Sequence, residues 1–349
     1  MPSDVNTIAN LLEVGYVKHA EADLNIFNTL ICKSDEAYRL NALYHLQQAV
    51  EKAGKAFMVN VVPLGCLVGK FFNEVAQLNE CKDTGEIANE LDAFCRLCRE
   101  MINNPSNFGK ELGHGFKLIG VINNKLYEYL KKPGNKELVI NCIRKHIEEA
   151  LNVELDDKLR SDIDNIINTL IQLLENILEK VTEKPPPNYD NLDCVNNIVN
   201  IINNSLNGIK NIDDNTRSYS REISNMLKTY RRRNICIFTD NCIENLEAWF
   251  STLLIEAYRM YLFGSLTVSH IAPCLSSLEA PSRYCLAEGD CPDVSNINNY
   301  NVVADFIKNN LLNSLARINS ILNTFNWHQF KNCEEVSFDE IVSKVITTN

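Results

Sequence analysis

His45, Gln48, Lys52 and Lys55 recur at intervals of three and four residues, with Asn41 one step earlier. On a helix that spacing stacks them along one face. A histidine able to change charge near neutral pH, set beside two ammonium groups, suits a nucleotide or a phosphate; the stripe is therefore a candidate nucleotide-binding surface. The plainer reading is a polar face at a helix or dimer contact. A second group, His270, Cys274, Cys285 and Cys291, offers four borderline or soft ligands of the kind zinc prefers, in a stretch rich in proline and glycine. Neither cysteine pair has the C-x2-C spacing of a finger. Zinc, a Cys285–Cys291 disulfide and unlinked structural thiols all remain open there. Cys95 and Cys98 do have that spacing, but within a helix-patterned stretch, where they read as packing. The run from Gly65 to Lys70 is one residue short of a phosphate loop, is followed by Phe71 where a hydroxyl is needed, and has no strand before it. Arg231-Arg232-Arg233 could touch phosphate, and equally fits the solvated end of a helix.

The first stripe belongs to a strongly marked helix. Ser34-Asp35-Glu36 supplies a cap and first-turn acids, and Leu43, Leu46, Val50, Ala53 and Phe57 form an apolar stripe that must be buried. Ala42, Ala49 and Ala56, with Gly54, leave room for a close neighbour. The run His45-Leu46-Gln47-Gln48-Ala49-Val50-Glu51-Lys52-Ala53-Gly54-Lys55-Ala56 resembles the second-helix signature of the HEPN family (higher eukaryotes and prokaryotes nucleotide-binding). A looser echo is Gly109-Lys110-Glu111-Leu112-Gly113-His114-Gly115-Phe116, similar to the stretch that opens a later helix in that family. The resemblance covers roughly residues 5–130.

The resemblance implies an up-and-down antiparallel helical bundle that binds a nucleotide or RNA. It also implies a place in a defence or toxin–antitoxin system, beside a separately encoded protein partner or as a homodimer. HEPN nucleases cleave RNA without metal, using an arginine and a histidine spaced R-x4-6-H. Around His114 the arginine is missing, and Lys110 is an imperfect replacement because an ammonium lacks the guanidinium fork. Arg39 and His45 satisfy the spacing inside the signature helix, but six residues place them about 120 degrees apart around it. Three expectations follow. The first is nucleotide or RNA binding without strong catalysis. The second is a metal-independent endoribonuclease using His114 with Lys110 or His45 with Arg39, and the third a helical dimerisation scaffold with the polar stripe as its seam. No cofactor is implied.

The rest of the chain supplies elements to position these residues. Helical periodicity predicts segments at 4–31, 67–77, 84–102, 109–132, 136–151, 156–184, 191–209, 213–230, 239–266, 302–325 and 339–345, with the signature helix broken at Pro63 and Gly65 and residues 267–300 irregular. No segment alternates with period two, so the chain is expected to be all-α. The prolines at 185–187 divide a HEPN-like bundle at 1–184 from a second helical region at 185–349 packed on it. With 349 residues, 45% hydrophobic and 23% charged, the chain can bury a sizeable core. A net charge of −11 excludes a uniformly basic, phosphate-neutralising surface. The sequence offers no membrane-length apolar run and no signal-peptide order at its start. The expectation is a cytoplasmic protein whose thirteen cysteines are free thiols.

Overall fold

In a computed structural model of the protein the described residues are 3–77, 81, 89, 108–151, 157–182, 192–232, 240–276, 294 and 297–324, and every regular element among them is helical. In chain order these are α1 (Ser3–Ile31), α2 (Glu36–Val75), α3 (Phe108–Lys131), α4 (Asn135–Leu151), α5 (Asp157–Thr182), α6 (Leu192–Arg232) and α7 (Asp240–Leu266). A π-helical stretch (Thr267–Ile271) carries α7 into α8 (Ala272–Ser276), and a second (Ile307–Leu312) carries α9 (Ile297–Phe306) into α10 (Asn313–Thr324).

The organising element is α2. Asp35 caps it, its Oδ1 accepting from the Ala37 backbone N–H at 2.9 Å. Leu43, Leu46, Val50, Ala53 and Phe57 are buried as the spacing requires, and so are Ala42, Ala49 and Ala56 on the neighbouring stripe. With two apolar stripes covered, α2 packs against α1 on one side. On others it meets α3, α4, α7, α8, α9 and both π-helical stretches. The α1–α2 pair is an antiparallel hairpin: residue 23 of α1 meets residues 45 and 52 of α2, whereas residue 16 faces residue 55. Arg39 closes its turn by donating from Nε to the Lys33 carbonyl at 2.8 Å.

Two further antiparallel pairs surround this one. Ion pairs Arg144–Asp164 and Arg160–Glu148 stitch α4 to α5, while Asp213–Arg259 and Lys228–Glu244 stitch α6 to α7. Gly134, at φ 84°, makes the tight turn from α3 to α4 that a residue with a side chain would resist. One continuous core runs from Ala20 to Ile318, drawing on residues from both sides of the proline run. Phe263 and Phe306 meet edge to face within it, at 5.3 Å between ring centres.

Several expectations are corrected. Helix α2 does not break at Pro63 but continues to Val75 as one 40-residue helix. An interior proline costs about 3 kcal/mol, whereas each large apolar side chain that α2 buries contributes about 1.5–3 kcal/mol. Met58, Val59 and Val61 are buried just before the proline and Val75 beyond it, so packing outweighs the lost hydrogen bond. The two helices expected at 191–209 and 213–230 are one 41-residue helix. Residues 211–215 are mostly weak helix formers but contain no breaker, and Asp213 is held against α7 by Arg259. The stretch 267–300 is not irregular throughout, because α7 runs on into α8 and α9 begins at Ile297. The helices expected at 84–102 and 339–345, and the prolines at 185–187, lie outside the described residues.

The expectation of free thiols fails for four cysteines. Cys81 is bonded to Cys142 and Cys194 to Cys274. Cys142 and Cys274 sit in apolar surroundings that suit a thiol equally well, and sequence spacing does not show that a second cysteine faces each of them. Cys32, in the turn after α1, is exposed and free.

Candidate functional site

The polar stripe of α2 closes on a residue that its own spacing does not reveal. Asp23 of α1, only 8% exposed, takes both of the stripe's central groups. His45 Nδ1 lies 2.8 Å from Asp23 Oδ1, and Lys52 Nζ pairs with Asp23 Oδ2. One turn further along α2, Lys55 pairs with Glu51 at 2.5 Å and stands 6.0 Å from the centre of the Tyr16 ring. Burial, and secondarily the charge of Glu51, holds the Tyr16 hydroxyl above the usual tyrosine range. Gln48 donates to the Gln47 side chain at 2.7 Å.

This arrangement fixes the histidine chemically. A carboxylate at Nδ1 holds the proton there and leaves Nε2 as the basic nitrogen. The His45 side chain keeps 20% exposure, and its ring meets the edge of Tyr44 at 5.3 Å between centres. The electrostatics are less inviting to an anion, since Asp23 and Glu51 balance Lys52 and Lys55. A phosphate would have to draw a lysine away from a carboxylate that is itself largely out of water. Arg39 and His45 are held by different partners, the first by the Lys33 carbonyl and the second by Asp23. Lys110 and His114 lie on the first turns of α3, and their side chains fall outside the described residues.

At the other end of the core, His270 sits in the first π-helical stretch, 3% exposed, with Nε2 donating to the Val181 carbonyl at 3.0 Å. Val181 is in the last turn of α5, whose carbonyls lack helical partners, so this histidine caps a helix end. Cys274 is in its disulfide and cannot be a thiolate ligand. The zinc expectation is therefore corrected for Cys274, whose sulfur is bonded to Cys194, while His270 uses Nε2 to hold the end of α5. Cys285 and Cys291 lie outside the described residues, among which no group of three or more His, Cys, Asp or Glu is placed to hold a metal ion.

No protein family, curated protein or solved structure matches this chain. The HEPN resemblance therefore rests on the residues of α2 and the opening of α3 alone. Residues 65–70 are helical within α2, so they form no phosphate loop. Cys95 and Cys98, and the side chains of Arg231, Arg232 and Arg233, lie outside the described residues.

Sequence reasoning missed a second polar centre, between α6, α7 and α10. Arg259 bridges Asp213 and Glu256, and Arg317 of α10 reaches Glu256 at 3.1 Å. Glu256 is 5% exposed, and Tyr258 is buried beside it. Desolvation first, and then the charge of Asp213, pushes the Tyr258 hydroxyl far above its ordinary range. The one sequence signal was a glutamate and an arginine three apart inside the aromatic-rich pattern of α7. Nearby, Tyr261 donates to Asn123 Oδ1 at 2.7 Å and ties α7 to α3, its own hydroxyl pushed up to about 12 by burial against the opposing effect of a hydrogen bond with Ser265.

Proposed function

We propose that this chain is a helical interaction scaffold whose polar stripe on α2 is a structural fastening. The observation that carries this reading is Asp23. It engages His45 and Lys52 together across the α1–α2 hairpin, the Lys33 carbonyl engages Arg39 at its turn, and Glu51 engages Lys55 within α2, so the groups suited to nucleotide chemistry already have partners in the fold. The two disulfides support a setting oxidising enough to keep them, in place of the reduced cytoplasm expected from the sequence. Among the described residues no helix is long and apolar enough to cross a membrane.

A second reading, nucleotide or RNA binding in a HEPN-like bundle, is favoured by one observation. Asp23 orients a partly exposed His45 through Nδ1 and pairs with Lys52 as well, and an imidazole held at one nitrogen by a carboxylate is how a general base is positioned. If His45 acts as a base on RNA, the alternative becomes metal-independent cleavage, with His114 and Lys110 as the other candidate pair. A partner from a defence or toxin–antitoxin system belongs to this second reading.

One set of measurements separates them. The scaffold reading expects no heat with ribonucleotides or a mixed-sequence RNA in low-salt calorimetry, and no cleavage of labelled RNA in EDTA. It expects Asp23→Ala to lower stability by about 2 kcal/mol in urea melts, because His45 and Lys52 both lose their acceptor. RNA binding or cleavage that disappears in His45→Ala while the fold persists would establish the second reading instead. The same loss confined to His114→Ala would move the chemistry to α3.

A further inference from the structure

Helix α6 changes character along its length. Its first half is built into the core, where Cys194, Val195, Ile198 and Ile202 are buried and Cys194 is bonded to Cys274. Beyond residue 210 the buried side chains among the described residues are Thr216, Ser220 and Ser224, hydroxyls spaced four apart along one face. No described residue of this second half joins the apolar core. The halves meet at Asn211-Ile212-Asp213-Asp214-Asn215, where all but Ile212 carry side chains that compete with the helical backbone for its hydrogen bonds.

What holds the second half is polar. Asp213 pairs with Arg259, and Lys228 pairs at 2.9 Å with a Glu244 that stands largely in water. A pair as exposed as the latter contributes little. Together the two pairs fix an antiparallel register that sets Thr216 level with Glu256. Along this seam Asp213 Oδ1, Thr216 Oγ1, Ser224 Oγ, Glu256 Oε2 and Arg259 Nε are buried with no hydrogen-bond partner among the described residues. Each costs stability that water would return if the seam opened. On the side facing α5, an open groove of about 80 Å³ between Leu173 and Ile223 leaves little packing to oppose such a movement. Opening strands no charge: Glu256 keeps Arg259 at 2.9 Å and Arg317 at 3.1 Å, while Asp213 passes into water.

We propose that the second half of α6 is a hinged arm: residues 216–228 swing off α7 about residues 211–215 while the first half stays fixed by its core residues and the Cys194–Cys274 bridge. The seam between α6 and α7 is thus a built-in opening in a fold otherwise closed by its apolar core. It is independent of the polar stripe on α2 and of any nucleotide chemistry there.

The test is hydrogen–deuterium exchange of the full, oxidised chain, read by mass spectrometry on peptides spanning 195–207 and 216–228. The arm should exchange about a hundredfold faster than the first half of the same helix. Its rate should change little in low urea, because local opening exposes a small surface, whereas 195–207 should follow global unfolding. Ile198→Val, a small loss in the anchored half, should speed exchange of 195–207 about fivefold and leave the arm unchanged. Thr216→Val puts a methyl where the buried hydroxyl stands and should slow the arm about fivefold. Asp213→Asn, which removes one charge from the seam, should speed it about three- to tenfold. Equal rates in the two halves, or an arm that quickens with Ile198→Val, would mean that α6 opens only with the whole protein, and the hinge is overturned. An arm that exchanges faster in Thr216→Val overturns it too, since that hydroxyl would then be holding the seam.

Discussion

Replacing Cys194 and Cys274 together by alanine lowers the unfolding free energy by about 4 kcal/mol. The bridge joins residues 80 apart in sequence, and closing a loop of that length removes about 4 kcal/mol of chain entropy from the unfolded state. Both cysteines are 1% exposed and each alanine replacement also loses a little packing, so a result near this figure needs no other cause. The bridge fixes the start of α6 to α8 beside the His270 cap on α5, three elements whose mutual placement would otherwise rest on side-chain packing alone. Urea melts of the oxidised protein and the double variant give the difference directly. Mass spectrometry after alkylation without reductant should find Cys32 modified and Cys81, Cys142, Cys194 and Cys274 protected. If alkylation reaches all five, or the double variant melts within 1 kcal/mol of the parent protein, the two bridges do not brace the fold and the oxidising setting loses its support.

The bridges also mark where the sequence stops being informative. Residues whose partners lie one or two turns away were legible: the apolar stripe of α2, the Asp35 cap, and the extents of α1, α3, α4 and α5 follow from spacing alone. Where a local signal met a tertiary one, the tertiary one prevailed. Pro63 is a strong breaker by itself and is overridden by burial on both sides, and residues 210–215 continue the helix with Asp213 paired to Arg259 on α7. The candidate site was half legible for the same reason. The spacing of His45, Gln48, Lys52 and Lys55 gave the stripe, but its chemical meaning depends on Asp23, 22 residues before His45 on another helix. The same limit hid Cys194 from Cys274 and Asp213 from Arg259, pairs that only the packing of α6 brings together.

Gly264→Ala should destabilise the protein by about 2 kcal/mol, although it places a better helix former in the interior of a helix. Intrinsic propensity favours alanine by about 1 kcal/mol at such a position. Opposing it, a Cβ on Gly264 would fall inside the ring of Phe57, overlapping Cγ as well as Cδ2 and Cε2. Phe57 is fully buried and is flanked by Tyr261, 6.1 Å away between ring centres, so the ring has nowhere to retreat. Overpacking of a close contact costs about 3 kcal/mol, and this one separates α2 from α7 at the centre of the core. The sign therefore depends on whether the obstructing atoms can move, and Gly208 tests that premise. A Cβ there meets chiefly the Nζ of Lys180, the far end of a flexible side chain on α5, so Gly208→Ala should be neutral or stabilising by up to about 1 kcal/mol. Pairing Gly264→Ala with Phe57→Leu should recover part of the loss, because the smaller side chain opens the space that the new methyl needs. A double-mutant cycle in urea that shows no coupling between positions 57 and 264 would mean that α2 and α7 do not cross at this glycine, and the central place of α2 in the fold would fall with it.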